Sequence, residues 1–179
     1  MIAAVAAAWI GTAPGLAQES GFHDGPDGAV VHVSGFVCPA KIGSFVRDAN
    51  GLRDPGTGAD YCAYSALSGV YGTVIVMPLP PVFDPRSVLA PEFRIQEGVH
   101  GHLVDELFQP VGPVPVYRRI YETDRLPARQ YRTLYACAAV GAWAVVTIVE
   151  YSEPGERDAA PVFLNAVYGA AAKALTGNP

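Results

Sequence analysis

A chain of 179 residues, half of them hydrophobic and only 16% charged, carries enough apolar material for one domain and too little charge, against the usual ~25%, for a disordered segment. Its net charge of -5, from 12 Lys and Arg against 17 Asp and Glu, argues against the basic stripe that nucleic-acid binding rests on. The nearest basic groupings, Arg118-Arg119 and the scattered Arg125, Arg129 and Arg132, read as solvated strand ends.

Residues 2–10 are an uncharged apolar run of the length of a signal h-region. Gly11, Pro14 and Gly15 then break any helix, and the small residues Gly15 and Ala17 suit cleavage after Ala17. The basic n-region that usually precedes such a run is absent. The run is too short for the roughly 20 residues of a membrane span. Residues 134–149, the other apolar stretch, are interrupted by Gly141 and read as strands. The expectation is a signal peptide over 1–17, a polar Gly-rich flexible leader over 18–28, and one domain over 29–176, periplasmic or secreted, with no transmembrane span in the mature protein.

Residues 29–33 form a short β-branched run and residues 45–47 another. Asn50-Gly51 and Asp54-Pro55-Gly56-Thr57-Gly58 are turn signals. Residues 59–67 and 72–77 then read as a hairpin across Ser68-Gly69, closed by Pro78, Pro80 and Pro81. Asp84-Pro85 suits a helix cap followed by proline. Ile95, Val99, Leu103 and Leu107 recur every fourth residue, which predicts a helix whose main body begins at Pro91 and ends before Pro110. Strands follow over 116–122, 131–139 and 142–151, the last two forming a hairpin across Gly141. Asp158 caps a final helix whose buried face is Phe163, Val167, Ala170, Ala171 and Ala174, with Gly177 ending it. Hairpins rather than crossovers join the strands, so the fold class is α+β: a mainly antiparallel sheet of about six strands with two packing helices.

Cys38, Cys62 and Cys137 form no C-x-x-C pair, which argues against a zinc ribbon or a thioredoxin-type site. In an oxidising compartment two can pair. Cys38 and Cys62 flank a Gly/Asp-rich excursion that returns two strands side by side, and are the favoured pair; Cys62–Cys137 is the rival. Cys137, in an apolar run, reads as a small buried hydrophobe.

Gly35-Phe36-Val37-Cys38-Pro39, the F-x-R strand Phe45-Val46-Arg47, the tyrosine-bearing Ala59-Asp60-Tyr61-Cys62-Ala63-Tyr64, the T-V-x-V strand Thr73-Val74-Ile75-Val76 and the later Trp143 strand form a recognisable series. Over roughly residues 30–175 it resembles a group of small exported proteobacterial proteins with a Mog1/PsbP-like α/β/α sandwich. The resemblance implies a shape and a compartment and carries no catalytic residue.

His100, His102, Asp105 and Glu106 are the one cluster of metal-ligand types. On a helix His100 and His102 diverge by about 200°, and His102 with Glu106 supplies only two of the three or four ligands zinc needs. No G-x-S-x-G elbow is present, and Ser65, Ser68 and Ser87 stand near no base signal. A cysteine hydrolase needs a free thiol folded against His32, His100 or His102. Of nine tyrosines, Tyr61, Tyr64, Tyr71, Tyr117 and Tyr121 are the candidates for an exposed interaction surface on the sheet. The expected protein has no catalytic residues, metal or cofactor, and binds an envelope protein or another envelope component. A small periplasmic hydrolase using a Cys or His, and an apolar-ligand protein with its pocket between helix and sheet, are the alternatives.

Overall fold

The computed structural model describes residues 19–126 and 129–175, leaving the signal-like segment and Gly177 outside the described residues. An eight-stranded sheet, antiparallel throughout, has the order β4-β5-β6-β7-β11-β10-β9-β8. Its strands are β4 (Lys41–Ile42), β5 (Phe45–Asp54), β6 (Ala59–Ser65), β7 (Tyr71–Pro78), β8 (His102–Val111), β9 (Val114–Leu126), β10 (Arg129–Val140) and β11 (Trp143–Glu153). A smaller antiparallel sheet is built from β1 (Phe22–Asp24), β2 (Val30–His32) and β3 (Val37–Cys38). Helix α1 (Pro85–Gly98) follows β7, and helix α2 (Ala159–Leu175) closes the chain.

Successive residues of a strand point to opposite faces, and here both faces are covered. On one face Val74, Val76, Val145, Val149, Leu134 and Ala136 pack with Phe163, Leu164, Val167 and Ala171 of α2. On the other, Ile75, Tyr117, Tyr121, Tyr135, Cys137 and Val146 pack with Leu89 and Phe93 of α1. Double coverage is why β7, β10 and β11 read as continuous apolar runs rather than alternating ones. Gly72 permits a close approach on the α2 face: a Cβ there would meet the Phe163 ring at 2.5 Å. Gly141 turns the β10–β11 hairpin at φ +59°, a conformation that favours glycine.

The small sheet lies on the α2 face, where Val30, Phe36 and Cys38 join the α2 core. Cys38 and Cys62 form a disulfide that spans a sequence separation of 24 with Cα atoms 6.6 Å apart. Arg47 adds a second tie by donating to the carbonyls of Cys38 (2.6 Å) and Gly28 (2.7 Å).

Several sequence expectations require correction. The sheet has eight strands rather than about six, beside a second sheet of three. Residues expected as a flexible leader contain β1, paired through Phe22↔His32 and Asp24↔Val30. Asn50-Gly51 lies within β5, where Gly51 sits opposite Tyr61. The helix begins at the Asp84 cap, whose carboxylate accepts from the amides of Arg86 and Ser87, and Pro91 lies inside it. It stops at Gly98, and Leu103 and Leu107 belong to β8. A spacing of four fits a helix stripe and equally a strand face of period two, so this pattern alone does not separate them.

The disulfide restrains the unfolded chain by about 3.5 kcal/mol in the loop-entropy model. Replacing both Cys38 and Cys62 with Ser is expected to lower the urea-unfolding free energy by roughly 2–4 kcal/mol, with the far-ultraviolet spectrum retained; an unchanged midpoint would contradict the account.

Candidate functional site

Helix α1 packs mainly over β9 and β10 and covers the β5–β7 arm of the same face only in part. A pocket of about 570 Å³ occupies that space, within the ~300–1,000 Å³ of ordinary ligand sites. Its floor is Ala59, Ile75, Met77 and Val146, and α1 contributes Val88, Pro91 and Glu92 as one wall. The opposite wall is Pro78-Leu79-Pro80-Pro81. Proline fixes φ, and the Leu79 amide donates to the Ala142 carbonyl at 2.9 Å, so this wall is held in place before anything binds.

The rim is polar and internally satisfied. Arg53 of β5 donates to Glu92 of α1 in an ion pair across the mouth. Asp54 accepts from the Gly56 amide at 2.9 Å and the Thr57 hydroxyl at 3.0 Å.

A second constellation has the residue types of a hydrolase. The Ser34 Oγ lies 2.7 Å from His32 Nδ1, and His32 Nε2 lies 3.1 Å from Asp60 Oδ2, which also accepts from the Gly21 amide at 2.8 Å. Acyl transfer further requires free donors for the oxyanion. The three local amides are already engaged: Ser34 N–H donates to His32 Nδ1, Gly35 N–H to the His32 carbonyl, and Phe36 N–H to Ser34 Oγ. His32 is wedged between Phe22 and Trp143, with ring centroids 5.0 and 5.1 Å away. This geometry seats the small sheet on β6 and lacks the local donors an acyl-transfer site needs. Burial lowers the His32 pKa from 6.5, opposed by its hydrogen bond to Asp60.

Cys137 is a free, fully buried thiol in the α1-side core. Burial pushes its pKa up to about 12, which removes the thiolate a cysteine hydrolase depends on. The five candidate tyrosines do not share a surface. Tyr64 is buried on the α2 face, where its hydroxyl donates to the Pro39 carbonyl at 3.0 Å. Tyr117 and Tyr121 are buried on the α1 face, Tyr61 is half-buried beside them, and Tyr71 is exposed. The residues named as a metal cluster are likewise dispersed. His100 sits in a turn at φ +60°, His102 opens β8, and Glu106 accepts from Tyr117 (2.8 Å), Arg86 (3.0 Å) and Arg119 (3.1 Å). Among the described residues no group of three metal-ligand side chains converges, and no helix is long and apolar enough to cross a membrane.

Edge strand β8 exposes Leu103, Val104 and Phe108. A register shift between Leu103 and Asp105, the charged Asp105-Glu106 step and Pro110 interrupt its free edge, the devices that discourage strand addition.

Sequence reasoning missed the His32–Asp60 contact and the Arg53–Glu92 rim. Both join residues far apart in the chain, and neither sits in a motif. The run of prolines after β7 was the one local signal of the pocket, and it was read only as a strand end.

No family model matches the chain, and no curated protein matches it. Among solved structures it is similar to the solution structure of cyanobacterial PsbP (CyanoP) from Synechocystis sp. PCC 6803, with 12% sequence identity, a TM-score of 0.46, and coverage of 90% of this chain and 96% of that one.

Because the folded state holds His32 more weakly protonated than the unfolded chain, this residue's contribution to stability is present above about pH 6.5 and declines as pH falls through that value. The urea midpoint is therefore expected to drop between pH 7 and 5, with a shallower drop in His32→Gln; equal slopes in the two proteins would rule this out. Iodoacetamide at pH 8 is expected to leave Cys137 unmodified in the native protein and to alkylate it in guanidinium. Rapid native labelling, read by mass spectrometry, would reopen the thiol chemistry.

Proposed function

We propose that this chain is an exported, non-catalytic binding domain, and that the pocket between α1 and β5–β7 takes an apolar component of the cell envelope. The observation that carries this reading is the pocket itself, with an apolar floor and a proline wall set before binding. Buried apolar area supplies affinity in such a site, at about 25 cal/mol per Å², and preorganised walls reduce the cost of ordering. Two further features support the reading. The Ser34–His32–Asp60 network lacks free local amide donors, and the Cys137 thiol is buried and protonated. The Cys38–Cys62 disulfide is compatible with an oxidising compartment, in keeping with the signal-like residues 1–17. A small apolar molecule is favoured over a protein surface because the tyrosines divide between the two sheet faces.

The uncharged fluorophore N-phenyl-1-naphthylamine is the test probe. It is expected to brighten with the wild-type protein and to bind Val88→Trp and Met77→Trp, which fill the pocket, at least about tenfold more weakly. Circular dichroism checks that both variants remain folded. No binding by the wild type, or equal binding by folded variants, would remove the pocket as the site.

A further inference from the structure

We propose that the Arg53–Glu92 pair makes this pocket reject apolar molecules that carry an anionic head, an inference that rests on reading the pocket as the binding site. Only three residues in its lining are charged: Arg53, Asp54 and Glu92. Each already has a partner on the protein. Arg53 and Glu92 hold one another across the mouth, and Asp54 is occupied by the turn it caps, through Gly56 and Thr57. Below them Ala59, Ile75, Met77 and Val146 offer apolar side chains to a ligand.

A ligand with an anionic head therefore meets no unspent cation: the one guanidinium in the lining is held by Glu92, and Asp54, hydrogen-bonded only to an amide and a hydroxyl, keeps its negative charge. A carboxylate must displace Glu92 from Arg53, or remain beside two carboxylates. Glu92 is the more covered partner, its side chain 16% exposed against 39% for Arg53. Displacing it leaves a partly buried anion without its cation, the costly way to break an ion pair. An ammonium head can lie beside Asp54, whose charge no cation offsets, and so need not break the pair. A hydroxyl, ester or ring substituent also leaves the pair intact. The pair thus excludes anionic amphiphiles rather than attracting a particular head group, which is selectivity by rejection.

The pair also has two separable halves, and each predicts a different change. Without Glu92, Arg53 becomes a free cation at the mouth and carboxylates gain. Without Arg53, Glu92 becomes a free anion and amines gain.

The test uses 1-decanol, decanoate and decylamine, which share one alkyl chain, to displace N-phenyl-1-naphthylamine at pH 7.5 and low salt. In the wild type, decanol is expected to displace the probe at a concentration about tenfold lower than decanoate. Glu92→Gln should shift the decanoate-to-decanol ratio toward decanoate by about tenfold, and Arg53→Gln should shift the decylamine-to-decanol ratio toward decylamine by a similar factor. The double variant should abolish both gains. If the ratios in the single variants match those of the wild type, selectivity does not reside in this pair, although decanol binding would preserve the pocket. If decanol itself fails to displace the probe, the pocket reading and this inference fall together. Thermal melts of the three variants confirm that the comparison is between folded proteins.

Discussion

The width of the sheet governs the rest of the molecule. Seven interstrand spacings of ~4.8 Å make eight strands roughly 34 Å wide, while a helix with its side chains is about 10 Å across. One helix cannot cover such a face. On the α2 face the shortfall is met by the small sheet, which adds Val30, Phe36 and Cys38 to the helix core. On the α1 face, α1 alone packs over β9 and β10. The pocket lies over the part of β6, β7 and β11 that α1 leaves open, walled by α1 itself and by the prolines leaving β7. It follows from the arithmetic of coverage rather than from a separate insertion.

That division depends on keeping the small sheet in place. Two-residue and three-residue strands pair weakly by themselves, so the attachment must come from elsewhere. The disulfide joins β3 to β6, Arg47 reaches from β5 to two carbonyls, and the His32–Asp60 hydrogen bond joins β2 to β6. Asp60 also holds the Gly21 amide, which orders the chain just before β1. A polar Gly-rich stretch such as 18–28 looks disordered when judged by composition. The order it has comes from pairing with β2 and from Asp60, 39 residues beyond Gly21, and composition carries no trace of the distant contact.

Similar logic separates what was legible in the sequence from what was not. The hairpins around Gly69 and Gly141, the Asp84-Pro85 cap and α2 depend on local chemistry and are visible in the sequence, while the Cys38–Cys62 pair is legible as the favoured pairing because only three cysteines are present. Strand β8 was missed because Leu103 and Leu107 satisfy helix and strand periods alike, and His100 at φ +60° gives no helical warning in its residue type. The tyrosines were misassigned for a different reason. Aromatic residues favour strands, but which face they occupy depends on register, and both faces here are buried. Tyr64 and Tyr121 therefore enter opposite cores, where a sheet open on one side would have displayed one of them. A pocket between helix and sheet is among the alternatives the sequence offers, but its place is not legible because its lining comes from β5, β6, β7, β11 and α1 together.

Residue types alone would have assigned chemistry to the wrong place. Ser34, His32 and Asp60 have the identities and nearly the spacing of a hydrolytic triad, yet their neighbouring amides are turned inward onto the same three residues. Arg53 at a pocket mouth resembles an anion receptor, yet Glu92 already occupies it. In both places the deciding quantity is hydrogen-bonding capacity left over after folding. The triad-like network uses its local capacity to seat a sheet, and the rim uses its own to close a gap between helix and strand. What the pocket retains for a ligand is apolar area. An uncharged molecule can use that area without undoing any contact the fold has made, whereas an anionic one must first take Arg53 from Glu92.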